Sequence, residues 1–141
     1  MTTIVGLTGG IASGKTTIVK LLKKNKLAVQ DSDFVVGGIY SKPKTKFTNY
    51  LKKINLGQSL KGKKIDKKII REEIFFNIKK RKLLESYIHT EVKKSRNLFI
   101  KKHKQKKTKI IFLDIPLLFE NKLEKICDAT ILFCAPLKTR K

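Results

Sequence analysis

The stretch Gly9-Gly10-Ile11-Ala12-Ser13-Gly14-Lys15-Thr16 fits the spacing G-x-x-x-x-G-K-[ST] without a gap, and such a loop tolerates few structural surroundings. Gly9 and Gly14 permit turns that a Cβ would block, so the backbone can approach a polyphosphate closely. Successive N–H groups then point inward as an anion-binding nest at the positive end of the following helix. Lys15 can reach β- and γ-phosphates, and the Thr16 hydroxyl can ligate Mg²⁺. The motif requires a strand before it and a helix after it. Thr3-Ile4-Val5-Gly6-Leu7-Thr8 reads as a short apolar strand, and Thr16 to Lys24 as a helix whose apolar face holds Ile18, Leu21 and Leu22.

The chain has 141 residues, enough for one domain with a core, and 40% of them are hydrophobic. No window approaches about 18 uninterrupted apolar residues, which argues against a membrane-spanning helix. The first ten residues lack the basic start and apolar run of a secretory signal. Cys127 and Cys134 have neither zinc-ligand spacing nor a secreted context, and they read as buried thiols in a reducing cytoplasm.

Charge is the strongest compositional signal: 34 Lys+Arg against 11 Asp+Glu, a formal +23. Such an excess could gather nucleic-acid phosphates without any motif, so a basic nucleic-acid-binding protein is the alternative from a different class. The distribution argues against it. Arginine, the residue suited to bidentate and stacked recognition, occurs only as Arg71, Arg81, Arg96 and Arg140. The lysines are spread along the chain with no matching array of aromatics, as an AT-biased coding sequence would give.

Lys26 to Gln30 reads as a second strand ending at Asp31-Ser32-Asp33. Strand, loop, helix and strand in that order imply a parallel α/β sheet, whose ligands gather at the carboxyl ends of the strands. Asp31 and Asp33 therefore fall where ligands bind, although Asp33 or Ser32 would equally serve as the cap of a helix beginning at Phe34. From Tyr40 to about Lys107 the chain reads as mostly helical, with Gly57 and Gly62 marking a loop. Ile69, Ile70, Ile74, Phe75 and Ile78 recur near helical spacing, as do Leu84, Ile88 and Val92, and all read as core. This segment is too long for a simple crossover and is expected to be a helical insertion covering the sheet. His103 lies in a lysine-rich run and is expected to be exposed. Lys109 to Asp114 is a buried strand closed by a carboxylate, the usual partner of a phosphate loop in holding Mg²⁺. Ala129 to Cys134 is a further strand.

Together these residues resemble the dephospho-coenzyme A kinase family. The resemblance rests on Val5 to Lys15 followed by Asp31-Ser32-Asp33, on Ile70-Arg71-Glu72-Glu73-Ile74-Phe75, on the helix around Leu84 to His89, and on Pro116-Leu117-Leu118-Phe119-Glu120. It implies a single P-loop kinase-like domain over residues 1–141, a parallel sheet flanked by helices, with a substrate-covering helical insertion at about 40–107. It also implies a cytoplasmic enzyme that transfers the γ-phosphoryl of ATP to the 3′-hydroxyl of dephospho-coenzyme A. In that reading Gly9, Gly10, Ile11, Ala12, Ser13, Gly14, Lys15, Thr16 and Thr17 hold the ATP phosphates, with Thr16 and Asp114 toward Mg²⁺. Asp33 is the general base, and Arg71 and His89 bind the acceptor. A small P-loop kinase acting on another metabolite or a nucleoside monophosphate is the alternative within enzymes. The sequence departs from the family at His89-Thr90, where proline usually follows the histidine, and at Lys67, where arginine is usual. The family continues past the strand at Ile131 to Cys134 into an arginine-bearing lid, a last strand and a helix, so the chain is expected to be truncated.

Overall fold

The computed structural model describes residues 1–9, 14–115 and 123–134. The chain divides into two compact units, Met1–Ser32 with Arg96–Lys141, and Asp33–Ser95.

The first unit is built on four parallel strands, β1 (Thr3–Gly9), β2 (Ala28–Asp31), β5 (Ile110–Asp114) and β6 (Ala129–Phe133), in the order β2-β5-β1-β6. Alternation along these strands sorts their side chains onto two faces. Ile4, Ile111, Leu113 and Ile115 pack on one side with Phe99 and Ile100 of α5 (Ile78–Gln105). Val5 and Leu7 pack on the other side with Val19 and Leu22 of α1 (Lys15–Lys24), together with Val29 and Phe112. The central strands are thus covered on both faces, as near-continuous apolar runs require, whereas β6 is exposed from Ala129 to Leu132. Asp128 closes the start of β6 against β1: its carboxylate accepts the Ile4 N–H at 2.7 Å and its own N–H donates to the Ile4 carbonyl at 2.8 Å.

Two expectations change here. Helix α1 buries Val19 and Leu22, whereas Ile18 and Leu21 are 37% and 48% exposed. The contiguous run Ile18-Val19-Lys20-Leu21-Leu22 offers two overlapping apolar stripes, and only the docking of α1 on β1 selects between them. The second strand begins at Ala28, because Lys26 takes a left-handed turn at φ 60 to leave α1.

The second unit holds α2 (Ser32–Ser41, from its second residue), α3 (Thr45–Lys53), α4 (Lys67–Phe75) and α5 as far as Ser95. A two-residue-strand hairpin, β3 (Leu60–Lys61) and β4 (Lys64–Ile65), occupies the loop flagged by Gly57 and Gly62. Gly62 leads its turn at φ 64, a conformation glycine adopts without strain. The core gathers Phe47, Leu51, Ile54, Leu56, Ile70, Leu84, Ile88 and Val92. Tyr87 stacks on both Phe47 and Tyr50, with ring centroids 5.1 and 4.6 Å apart.

Helix α4 starts where Asp66 accepts the amides of Lys68 and Ile69 at 3.0 and 3.4 Å. Asp66→Ala is expected to destabilise the unit by about 1 kcal/mol, the usual worth of an N-cap, and Asp66→Ser to recover most of it in denaturant unfolding.

Phe75 and Ile78 are exposed, not core, because Ile70 and Ile74 already fill the inward side of α4. His103 is half-buried, not exposed: its ring packs on Phe99 at 4.5 Å and its Nδ1 lies 2.9 Å from the Thr108 hydroxyl. Burial, and then Lys102 and Lys106, hold the His103 imidazole below its ordinary pKa. Cys134 is exposed and only Cys127 is partly covered. Burial pushes the Cys127 thiol up.

Candidate active site

The carboxyl ends of the strands bring the motif residues of the first unit together. Gly14 sits at φ 86, the left-handed region that excludes most side chains, and serves as N-cap of α1. Its carbonyl accepts the Ile18 N–H at 3.2 Å, so the helix begins directly at Lys15. Gly10, Ile11, Ala12 and Ser13 lie outside the described residues, as does Pro116 to Glu120.

Register then places the acids. Asp114 is the cross-strand partner of Leu7 on β1 and of Asp31 on β2. Leu7 faces α1, so the alternation that buries Val29 and Phe112 under that helix turns both carboxylates toward it. The Lys15 ammonium meets Asp114 Oδ1 at 2.8 Å, with the two side chains only 13% and 8% exposed. Lys23, two turns further along α1, reaches Asp31 Oδ2 at 3.5 Å. The sheet end is therefore a set of hard oxygen donors and ammonium groups beside a helix N-terminus. Such an arrangement suits a polyphosphate with a divalent cation. Thr16 and Thr17 are exposed on the first turn of α1, where their hydroxyls are accessible.

The remaining candidates belong to the second unit. Asp33 follows β2 by two residues and is exposed on the first turn of α2. The expected helix start at Phe34 moves back to Ser32, which is buried and is already helical. Among the described residues, no hydrogen bond reaches the Ser32 hydroxyl. Arg71 is exposed on α4. His89 is exposed in the interior of α5, where Thr90 continues the helix and donates its hydroxyl to the Ser86 carbonyl at 2.9 Å. The sequence puts Asp31 at the ligand end of β2 without a role of its own, and its partner Lys23 on α1 is visible only in three dimensions.

A parallel sheet in the order β2-β5-β1-β6, a glycine-capped helix after β1 and an acid at the end of β5 define a P-loop kinase-like α/β protein. A profile of the family described as dephospho-CoA kinase matches residues 3–140. The chain belongs to the dephospho-CoA kinase family. It is 39% identical over 126 residues to the dephospho-CoA kinase of Fusobacterium nucleatum, covering 89% of this chain and 63% of that protein. It is 33% identical over 132 residues to the enzyme of Wolbachia sp. subsp. Brugia malayi, covering 94% and 67%. Among solved structures, the dephospho-CoA kinase of Campylobacter jejuni superposes with a TM-score of 0.71 at 27% identity, over 94% of this chain and 66% of that one. A Thermus thermophilus protein superposes with a TM-score of 0.73 at 29% identity, over 98% and 68%. The chain thus spans just under two thirds of the length of the Fusobacterium relative.

Proposed function

We propose that this protein phosphorylates the 3′-hydroxyl of dephospho-coenzyme A from ATP, giving coenzyme A and ADP. The observation that carries the reading is the Lys15–Asp114 pair, which sets a motif lysine and a strand-end acid 2.8 Å apart at the loop. Family membership over residues 3–140 supports the choice of acceptor.

The roles follow from charge and position. The loop amides and Lys15 bind the β- and γ-phosphates of ATP and neutralise charge that builds on the leaving β-phosphate. Lys15 exchanges Asp114 for phosphate when nucleotide arrives, which frees the carboxylate. The Thr16 hydroxyl and Asp114 then suit Mg²⁺, a cation held through few protein oxygens and completed by substrate phosphates. When bound, Mg²⁺ screens the phosphate oxygens against the incoming nucleophile. Asp33 accepts the proton of the 3′-hydroxyl as its oxygen bonds to the γ-phosphorus and the bond to the β-bridging oxygen breaks. Arg71 and His89 bind the acceptor. A cytoplasmic site of action belongs to the same proposal; among the described residues no helix is long and apolar enough to cross a membrane.

The test is ADP release across acceptors: dephospho-coenzyme A, nucleoside monophosphates and free nucleosides, each with ATP and Mg²⁺. Dephospho-coenzyme A is expected to be preferred by at least about a hundredfold in kcat/KM, since a site built to bind particular polar groups rejects analogues lacking them. Equal or better turnover with a nucleoside monophosphate would move the assignment to another small P-loop kinase.

A further inference from the structure

The lysine-rich end of α5 borders a cleft that the proposed reaction leaves unused. Met1, Thr2 and Ile4 around the start of β1, Lys104 and Lys107 at the end of α5, and Ile126 and Asp128 before β6 enclose about 470 Å³. That volume suits a small molecule. All seven residues belong to the first unit. The cleft lies at the amino end of β1, whereas the glycine loop follows its carboxyl end, about 20 Å away along a seven-residue strand.

Charge says what the cleft would take. Lys101, Lys102, Lys104, Lys106, Lys107 and Lys109 fall within nine residues, and all six are exposed. Among the described residues none of them forms an ion pair. A helix C-terminus favours cations in its last turn, but Lys106, Lys107 and Lys109 lie beyond the end of α5. The acid in the cleft is already engaged, because the Asp128 carboxylate accepts the Ile4 N–H at 2.7 Å. The excess positive charge is felt inside the fold: after burial, Lys102 and Lys106 hold down the His103 imidazole.

The remaining lining is aliphatic. Ile4, Ile126 and Met1 supply it, and among the described residues no aromatic ring borders the cleft on which a base could stack. A nucleic acid would use the lysines and leave this lining unfilled. Lysine ammonium groups are point charges, so they take a carboxylate or a phosphate alike. We propose that this cleft binds a small oxyanion, a carboxylate or a phosphate ester, that carries a short aliphatic chain. Lys104 and Lys107 hold the oxyanion, and Ile4 and Ile126 hold the chain. The site stands apart from the function proposed above and needs no nucleotide.

The experiment is calorimetric titration of the full chain with octanoate, octyl phosphate, acetate and uncharged octanol, with and without saturating ATP. It compares the native protein with Lys104→Gln/Lys107→Gly. Glycine suits position 107, where φ is 57. There the Lys107 N–H donates to the Lys104 carbonyl at 3.1 Å and the Thr108 N–H to the His103 carbonyl at 3.0 Å, a helix closure whose left-handed residue is usually glycine. An unchanged thermal midpoint of the double variant without any probe shows that it is folded. Octanoate is expected to bind at least about thirtyfold tighter than acetate, since each buried CH₂ multiplies affinity by about four. Both charged octyl probes are expected to bind at least about tenfold tighter than octanol, and to lose about tenfold or more in the double variant. ATP is expected to leave octanoate affinity unchanged. Equal octanoate affinity in the folded double variant overturns the proposal, as does octanol binding as tightly as octanoate. Competition by ATP overturns it too, by placing the anion in the glycine loop. So does a single-stranded oligonucleotide that binds through the same lysines while octanoate does not.

Discussion

Replacing Lys15 by alanine is expected to lower ATP affinity by roughly ten- to a hundredfold, the worth of a hydrogen bond to a charged group. Turnover is expected to fall by about a hundred- to a thousandfold, as when one preorganised donor to a developing charge is removed. The geometry adds a second consequence. Lys15 pairs with Asp114, whose side chain is only 8% exposed, so Lys15→Ala takes a counter-charge away from a buried carboxylate. Removing one partner of such a pair costs on the order of 3 kcal/mol. The double variant Lys15→Ala/Asp114→Asn separates the two effects, since it removes the buried charge as well as its counter-charge. It should regain most of the lost stability in denaturant unfolding yet bind ATP no better in calorimetry. Full ATP affinity in the folded double variant would show that the loop does not bind phosphate through Lys15.

The second large effect belongs to Asp33. Asp33→Asn preserves shape and capping ability but removes the proposed proton acceptor. Phosphoryl transfer is expected to fall by about a hundredfold or more. Stability should change by no more than about 0.5 kcal/mol, because Asp33 is exposed and lies in the first turn of α2. ATP binding should not change at all. Near-full activity in Asp33→Asn would reduce the residue to a helix-start role.

What could be read from the sequence was short-range. A glycine loop between an apolar strand and a helix, and an apolar run ending in Asp114, each announce themselves within a dozen residues. The parallel pairing and the burial of Ile111 and Leu113 follow from those runs, whereas the strand order β2-β5-β1-β6 does not. What could not be read depended on docking. Ile18, Val19, Leu21 and Leu22 present two possible stripes, and contact with β1 selected Val19 and Leu22. Phe75 stands three residues before Ile78, at helical spacing, yet α4 has room inward only for Ile70 and Ile74. His103 sits among lysines and looks solvated, but Phe99 one turn earlier and Thr108 beyond the helix end cover its ring. The β3–β4 hairpin is too short for any alternation to show. The Lys15–Asp114 pair joins residues 99 positions apart (114 minus 15), and only the β1–β5 register brings them together.

The central claim is that phosphate moves from ATP to one hydroxyl of one acceptor. The most direct measurement incubates the chain with Mg²⁺, γ-labelled ATP and dephospho-coenzyme A, then locates the label in the product by mass spectrometry and phosphorus NMR. The account predicts label on the 3′-oxygen of the adenosine ribose, formed with equal ADP and lost in Asp33→Asn. Label on a terminal phosphate, or ADP formed with only inorganic phosphate beside it, would contradict the account.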